Sequence, residues 1–173
     1  MKSKIALLQG SARKDGDTNF FSQQLSRRIS LETFHLRDYD ISHYDYNHQY
    51  PGEDFLKLIH KLRSYDIWII ASPVYWYSLS GRTKVFLDRL TDLLELHREI
   101  REELRGKSLA ALSVSKNDDV PSSFYDPLIL TAKYLGMSYI GGIHAFSSDR
   151  SLNAVSIKRL DNFVQNINKK IQL

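Results

Sequence analysis

The chain has 173 residues, a length that suits one domain with a well-buried core, which we expect to span 1–173. It contains no cysteine, which excludes disulfides, cysteine-bound iron–sulfur clusters and cysteine nucleophiles. The net charge of +4 suits an anionic ligand such as a phosphate ester, but the Lys and Arg residues are scattered and do not indicate a nucleic-acid partner.

The N-terminal residues lead directly into a strand-like apolar run, which is too short and too soon interrupted for a signal peptide. No apolar run in the sequence reaches the length of a membrane-spanning helix. We therefore expect a cytoplasmic protein that has no membrane partner.

Buried strands and amphipathic helices are predicted to alternate along the chain. Continuous apolar runs are typical of strands covered on both faces, and apolar residues at helical spacing indicate helices. The predicted strands are 5–8, 32–36, 67–71, 107–114 and 139–145. The predicted helices are 17–29, 53–63, 81–96, 122–135 and 156–171.

About five strands alternating with about five helices predict an α/β fold with a doubly wound parallel sheet. Ligands of such sheets bind beyond the carboxyl ends of the strands, at the point where the strand order reverses. The loops after the first, third and fourth predicted strands are therefore the candidate ligand-binding loops.

The loop after the first predicted strand, G-S-A-R-K-D-G-D-T-N at 10–19, has the features of a phosphate site. The next helix begins near Asp17 or Thr18, so its free N–H groups point back into the loop. Ser11 and Thr18 add hydroxyl donors, and Arg13 adds a guanidinium group. An ordinary capped helix after a polar turn is the alternative. The triphosphatase P-loop and dinucleotide fingerprints are both absent from this sequence.

The loop after the third predicted strand carries three consecutive aromatic residues, Tyr75, Trp76 and Tyr77. Loop aromatics that cannot all turn inward indicate a flat ligand or a protein interface. Packing of one or two of these rings on the sheet edge is the alternative. Ser80 is suited to cap the helix that follows.

Together, the two loops resemble the two signatures of the NAD(P)H-dependent FMN reductase family. The segment 10–18, G-S-A-R-K-D-G-D-T, is similar to the family's G-S-P-R-K-x-G-N-T loop. The segment 72–81, S-P-V-Y-W-Y-S-L-S-G, continuing through Lys84 and Phe86, is similar to the second signature. The order of the predicted elements also agrees along the chain.

The resemblance implies a flavodoxin-like, three-layer fold whose five-stranded parallel sheet has the order 2-1-3-4-5. It implies FMN as the cofactor and NADPH or NADH as the co-substrate. Because the cofactor supplies the chemistry, no catalytic side chain and no metal are expected. The implied contacts to the FMN phosphate are Ser11, Arg13 and Thr18, with the backbone of Asn19 and Phe20.

The resemblance also implies contacts to the isoalloxazine ring of FMN. On one side the implied contacts are Pro73, Val74, Tyr75 and Trp76. On the opposite side, after the fourth strand, the implied contact is Ser115.

The chain departs from the family pattern at several positions. Asp17 stands where the family usually has Asn, which places a carboxylate near the phosphate, and Ala12 replaces Pro. The loop 113–120 lacks the glycines often found there. The segment 38–52 lacks the cysteines of the family's iron–sulfur branch, so the chain is not a member of that branch.

Two further features are open to more than one interpretation. His43 and His48 could belong to a metal site, but their spacing matches no known ligand pattern, and a surface loop that borders the ligand or a partner subunit is preferred. Leu96, Ile100 and Leu104 form an apolar stripe in a charge-rich segment, which fits either a solvated helix extension or a subunit contact.

The leading hypothesis is an enzyme that passes a hydride from NAD(P)H through FMN to a small-molecule acceptor such as a quinone or free flavin, and works as a homodimer. A flavodoxin-type electron carrier is the first alternative, but such carriers are typically acidic and this chain has a net positive charge. A regulatory flavin-binding module without turnover is the second alternative.

Overall fold

The central sheet contains five parallel strands and one short antiparallel strand. This computed structural model describes residues 3–51 and 53–171. The strands are β1 (Ile5–Gln9), β2 (Glu32–His35), β3 (Ile67–Tyr75), β4 (Ser78–Leu79), β5 (Ser108–Ser115) and β6 (Ser138–Phe146). The parallel order is β2-β1-β3-β5-β6, and β4 pairs antiparallel with the end of β3. This confirms the predicted order of the five parallel strands.

Seven helices are present in the part of the chain that the structure describes. They are α1 (Asp17–Ser26), α2 (Phe55–Leu62), α3 (Gly81–Arg89), α4 (Thr91–Glu95), α5 (Arg98–Leu104), α6 (Asp126–Tyr134) and α7 (Ala154–Ile171). Two single 3₁₀ turns are also present. Leu36–Asp38 follows β2, and Ser122–Tyr125 precedes α6. None of the helices in residues 3–51 and 53–171 is long and apolar enough to cross a membrane.

The sheet separates two apolar cores, which explains why its central strands are apolar on both faces. One core lies under α2 to α6 and includes Phe55, Trp68 and Phe86. The other lies under α1 and α7 and includes Phe21 and Phe163. Because helices cover both faces, β1, β3 and β5 are buried along nearly their whole length.

The predicted helix 81–96 is wrong, because this segment forms two short helices, α3 and α4. At the junction, the N–H of Leu90 donates to the carbonyl of Leu87, and the N–H of Leu93 donates to the carbonyl of Leu90. This three-residue spacing tightens the chain locally and ends the regular helix. Arg89, the last residue of α3, is fully buried and forms ion pairs with Asp92 and Glu53.

The apolar stripe in 96–104 is not available to a second subunit. Ile100 and Leu104 lie on α5 and are buried in the core under α2 to α6, and only Leu96 is exposed. The stripe therefore packs into the core of its own chain, and the alternative of a subunit contact through it is wrong.

The long segment before α2 is held against the same helices. Tyr50 places its ring 3.5 Å from the guanidinium carbon of Arg89 and donates a hydrogen bond of 2.8 Å to Asp92. His48 lies 3.3 Å from Asp92 and 3.2 Å from Glu95. Of the two carboxylates beside His48, Asp92 pairs with the buried Arg89, and Glu95 accepts a hydrogen bond from Tyr44. Gly52, the last residue of the segment, lies outside the described residues.

Candidate functional site

A cleft opens at the carboxyl ends of β1, β3 and β5, where the strand order reverses. We call it the switch-point cleft; its volume is about 210 Å³. It lies at the position where sheets of this class bind ligands. Its walls are formed by Ser11, Arg13, Gly16, Asp17, Thr18, Pro73, Val74, Tyr75, Val114, Ser115 and Lys116.

The first wall of the switch-point cleft is the start of α1. Gly16 is the N-cap, and no side chain in 3–51 or 53–171 caps the helix. The first N–H groups of a helix lack intrahelical partners and carry partial positive charge, so they favour an anion. Thr18 is nearly fully buried at this end, and Ser11 Oγ accepts a 3.2 Å hydrogen bond from the N–H of Arg13. The start of α1, Ser11 and Thr18 thus present N–H and hydroxyl donors to the cleft, and we call this group the cradle.

Asp17 does not cap α1 but turns toward Arg150, whose Nε lies 3.4 Å from its carboxylate. Arg150 belongs to the segment after β6 and lies far from Asp17 in the sequence. The ion pair offsets the negative charge that Asp17 brings to the cleft. Two further cations, Arg13 and Lys116, line the same cleft, so its electrostatic balance favours an anionic ligand.

The second wall is the end of β3. The strand continues past the predicted end to Tyr75, because β4 pairs with its last residues. Pro73, Val74 and Tyr75 therefore face the cleft from an ordered strand, not from a loop. Trp76 is 94% exposed and lies outside the switch-point cleft, at the tip of the β3–β4 hairpin. Of the three consecutive aromatic residues, Tyr75 therefore lines the switch-point cleft, whereas Trp76 and Tyr77 do not.

The third wall contains Ser115, at the end of β5, and it is supported from behind by His144. His144 is buried, with Nδ1 2.9 Å from the Ser113 hydroxyl and Nε2 2.8 Å from the carbonyl oxygen of Asn117. The Ser113 hydroxyl also lies 2.7 Å from the Tyr125 hydroxyl. Because a carbonyl only accepts, Nε2–H donates to Asn117 and Nδ1 accepts from Ser113 in the neutral tautomer. Burial raises the pKa of Tyr125, which keeps this hydroxyl protonated.

Comparison with known proteins identifies the family. The model of the NADPH-dependent FMN reductase family matches residues 3–150, which is most of the chain. The chain belongs to the NADPH-dependent FMN reductase family. It is a flavin-dependent oxidoreductase that uses FMN and NAD(P)H, as the resemblance in its two loops implied.

Individual relatives agree with this assignment. The chain is 27% identical over 150 residues to YwqN of Bacillus subtilis (strain 168), a candidate NAD(P)H-dependent FMN-containing oxidoreductase, covering 80% of this chain and 82% of YwqN. A structure described as a Trp repressor binding protein from Bacillus subtilis has a TM-score of 0.75 at 18% identity, covering 95% of this chain and 97% of that one.

A third relative is a solved flavodoxin, a WrbA-like protein from Agrobacterium tumefaciens. It has a TM-score of 0.67 at 12% identity and covers 98% of this chain and 98% of its own. At such low identity the two solved structures show the fold alone. They confirm the predicted flavodoxin-like fold.

The residues that line the switch-point cleft are chemically suited to the two ends of FMN. The helix start, the hydroxyls and Arg13 are a donor set suited to a phosphate dianion. The cradle is narrow, because a Cβ added to Gly16 would lie 3.3 Å from Arg13 Cβ and 3.7 Å from Ser11 Oγ. Pro73, Val74 and Tyr75 offer the apolar and aromatic surface that a flat ring requires.

Two of the predicted phosphate contacts, Asn19 and Phe20, are absent from the lining of the switch-point cleft. The N–H of Phe20 already donates to the carbonyl of Gly16 at 3.1 Å, so it belongs to the helix. The side chain of Asn19 accepts a 3.3 Å hydrogen bond from Gln9 and points toward the end of β1. Of this pair, only the Asn19 N–H has the position of a free first-turn donor.

The sequence interpretation missed three contributors to the cleft. Gly16 is the N-cap of α1, and a side chain there would crowd Arg13 and Ser11 at the cleft. Lys116 follows a buried strand, which is a usable signal for a cation at a ligand-binding edge. His144 supports the Ser115 loop through the Asn117 carbonyl, and nothing in its local sequence indicates this contact.

Proposed function

We propose that this oxidoreductase holds FMN in the switch-point cleft and reduces a small planar acceptor, such as a quinone or free flavin, at the expense of NAD(P)H. The observation that carries the proposal is that the donor-rich start of α1 and the apolar end of β3 face the same cleft. For a quinone, one NAD(P)H and one proton give one hydroquinone and one NAD(P)⁺, with two electrons transferred.

The phosphate end of FMN is assigned to Ser11, Arg13 and Thr18. The two hydroxyls and the N–H groups at the start of α1 donate hydrogen bonds, and the guanidinium group adds charge. Asn19 contributes its backbone N–H, and Phe20 is left out because its N–H is bonded within the helix.

The ring end of FMN is assigned to the surface between Tyr75 and Ser115. Pro73, Val74 and Tyr75 exclude water from one side of the ring, and Ser115 approaches the opposite side. The chemistry that bound FMN supplies is hydride acceptance from NAD(P)H and hydride delivery to a second acceptor. The chain's own task is to hold the ring between the two walls, so no protein acid or base is required.

The protein environment of the cleft also favours an enzyme over an electron carrier. Carriers dock protein partners through strongly charged faces, whereas Arg13 and Lys116 lie inside a small cleft of a chain with net charge +4. A flavodoxin-type carrier would not oxidise NAD(P)H unless a partner protein were present.

A second copy of the chain is the proposed partner, and the cytoplasm is the proposed location. An apolar groove lies between α3, α4 and α6. Leu130 and Tyr134 are exposed on its α6 wall, where a second subunit would cover them. The groove is lined by Leu87, Leu90, Thr91, Leu94, Leu130, Thr131, Tyr134 and Leu135.

The test is the visible spectrum of the purified protein titrated with FMN, followed by anaerobic NADPH and then by a quinone. We expect a bound-flavin spectrum, bleaching by NADPH without any partner protein, and recovery on addition of the quinone. Thr18→Val, which keeps the shape of the side chain and removes its hydroxyl, should weaken FMN binding about tenfold.

Ser26→Ala, at the opposite end of α1, is the matched control and should bind FMN like the parent protein. Absence of FMN binding by a folded parent protein would exclude the proposed site. FMN binding without NADPH oxidation would instead support the electron-carrier alternative.

A further inference from the structure

The β3–β4 hairpin turns through two aromatic residues in a conformation that side chains rarely adopt. Its register pairs Val74 with Leu79 and Tyr75 with Ser78, which leaves Trp76 and Tyr77 as a two-residue loop. The φ angles of these two residues are +49° and +62°. Positive φ at both central positions defines a type I′ turn.

Trp76 and Tyr77 are unfavourable residues for this turn. Type I′ turns strongly prefer Asn-Gly, because glycine has no Cβ and asparagine tolerates the left-handed region. Bulky residues with positive φ are strained, and such strain persists mainly at functional sites. The turn is also solvent-exposed, with Trp76 94% exposed, so burial in the core does not compensate for the strain.

The strained turn forms one wall of a second cleft, the turn cleft, next to the switch-point cleft. The two clefts share Val74, Ser115 and Lys116. Trp76 and Tyr77 line only the turn cleft, opposite the polar residues Asn117 and Asp119. A molecule in the turn cleft would therefore lie beside a ring held in the switch-point cleft.

We infer that the Trp76–Tyr77 turn is an acceptor platform, on which a planar quinone stacks while it is reduced. The inference deepens the proposed function and rests on it. In this role the strained turn holds the two aromatic rings outward, in the turn cleft beside the switch-point cleft.

The chemistry of the turn cleft fits a quinone better than a second protein surface. Aromatic faces stack on planar conjugated rings, and the two side chains have few rotatable bonds to immobilise. Opposite them, the Lys116 ammonium and the Asn117 amide supply N–H donors for quinone carbonyl oxygens. The reaction is the one balanced above, in which NAD(P)H and a proton supply two electrons and two hydrogens to the quinone.

The test is the double variant Trp76→Asn/Tyr77→Gly, which gives the turn its preferred residues and removes both rings. Relief of strain should raise the Tm of the FMN-free protein by about 3 °C or more. With NADPH in excess, the KM for a naphthoquinone should rise at least about tenfold more than the KM for ferricyanide, an acceptor that does not stack.

Two single variants are matched controls. Trp76→Phe keeps a ring in the same turn, and we expect a naphthoquinone KM within about threefold of the parent value and an unchanged Tm. Tyr46→Asn removes another strongly exposed ring, in the segment before α2, and should reproduce neither effect. FMN affinity and oligomeric state are measured for every variant.

Three results would overturn the inference. They are a Tm that stays the same or falls in the double variant, equal KM changes for the two acceptors, and a naphthoquinone effect that appears only together with a change in oligomeric state. Failure of the parent protein to oxidise NADPH with either acceptor is a different result, because it removes the proposed function and the platform with it.

Discussion

Ser80 Oγ donates a 2.7 Å hydrogen bond to the carbonyl oxygen of Gly10, and so ties the loop after β1 to the start of α3. The same hydroxyl accepts from the N–H of Thr83 as the N-cap of α3. The N–H of Ser80 in turn donates to Ser72 Oγ at the end of β3. All three hydroxyl side chains are buried. The two walls of the switch-point cleft are therefore fixed relative to each other.

Gly10→Ala should disrupt the hydrogen bond between Ser80 and Gly10 that joins the two walls. A Cβ at this position would lie 1.9 Å from Thr83 Oγ1, so the loop or α3 must move. Overpacking of this kind costs about 1–3 kcal/mol of unfolding free energy, and FMN affinity should fall about tenfold as the walls separate. Urea unfolding and FMN fluorescence titration measure the two effects.

The control for Gly10→Ala is Gly81→Ala, whose added Cβ would meet no atom of the described residues within 4 Å. It should leave the unfolding free energy and the FMN affinity close to the parent values. Adding Thr83→Ala to Gly10→Ala removes the closest contact and should restore part of the FMN affinity. If FMN binds to Gly10→Ala as it does to the parent, the two walls are not coupled through this contact.

The ion pair between Asp17 and Arg150 should set the FMN affinity of the cradle. Asp17→Asn removes a carboxylate beside the phosphate position and should tighten FMN binding about 2- to 5-fold. Arg150→Gln leaves that carboxylate unpaired and should weaken binding by a similar factor. Isothermal titration at low salt measures both changes.

The double variant Asp17→Asn/Arg150→Gln distinguishes an indirect role of Arg150 from a direct one. If Arg150 acts by offsetting the charge of Asp17, its replacement should have little effect once the carboxylate is gone. An undiminished loss of affinity in the Asp17→Asn background would mean that Arg150 contacts the phosphate directly.

The sequence predicts the fold well because its strand signals are strong. Runs such as 67–71 are apolar throughout, which in a protein of this size requires cover on both faces. The break after Arg89 is not predictable in this way. It accompanies the burial of a guanidinium group between carboxylates from two different segments, and helical periodicity carries no information about such a contact.

The candidate site likewise contains some residues whose positions the sequence predicts and others whose positions it does not. Ser11, Thr18 and Pro73 are predictable because they lie at or just beyond the carboxyl ends of strands, which meet at one edge of the sheet. The position of Trp76 is not, because it depends on a turn conformation that disagrees with local sequence preference. His144 is found only from the register of β5 and β6, which places it beside Ser113.

Replacing His144 should loosen the loop that carries Ser115. His144→Phe keeps a ring of similar size but leaves the Asn117 carbonyl and the Ser113 hydroxyl without this partner. Both groups keep other partners, since Ser113 still bonds the Tyr125 hydroxyl and the Asn117 carbonyl still accepts from Ser115. The loss of two hydrogen bonds should therefore lower the unfolding free energy by about 1–3 kcal/mol. Hydrogen exchange at 115–119 should also become faster.

His97→Gln is the control for the His144 variant, since His97 is partly exposed and its Nδ1 lies 3.7 Å from Glu99. It should change neither stability nor exchange in the Ser115 loop. A His144→Phe protein that is destabilised but shows parent-like exchange at 115–119 would mean that His144 supports the core and not this loop.

Leu130→Glu should prevent dimer formation if the apolar groove is the subunit contact. Leu130 is exposed, so the folded subunit tolerates the charge, whereas a covered interface would have to bury it. Size-exclusion chromatography with light scattering should give a dimer for the parent and a monomer for the variant. Lys133→Glu, also on α6 but outside the groove, is the matched control. A dimer in both variants would place the interface elsewhere.

His35, at the end of β2, should make the unfolding free energy of the protein depend on pH. Its Nδ1 lies 2.9 Å from Gln9 Oε1, and burial lowers its pKa below 6.5; Arg37 and Lys14 lower the pKa further, and Asp38 opposes the shift. Because the folded pKa lies below the unfolded value, the unfolded chain binds more protons as the pH falls through 6.5. Folding stability contributed by neutral His35 is therefore complete above this pH and is lost below it.

His35→Asn keeps an N–H donor for Gln9 and removes the titrating group. The parent should lose more unfolding free energy than the variant between about pH 7 and about pH 5, as measured by urea unfolding at each pH. Since burial is the largest cause of the pKa shift and salt screens only exposed charges, the difference should persist at high salt. A difference that disappears at high salt would instead assign the shift to the neighbouring cations.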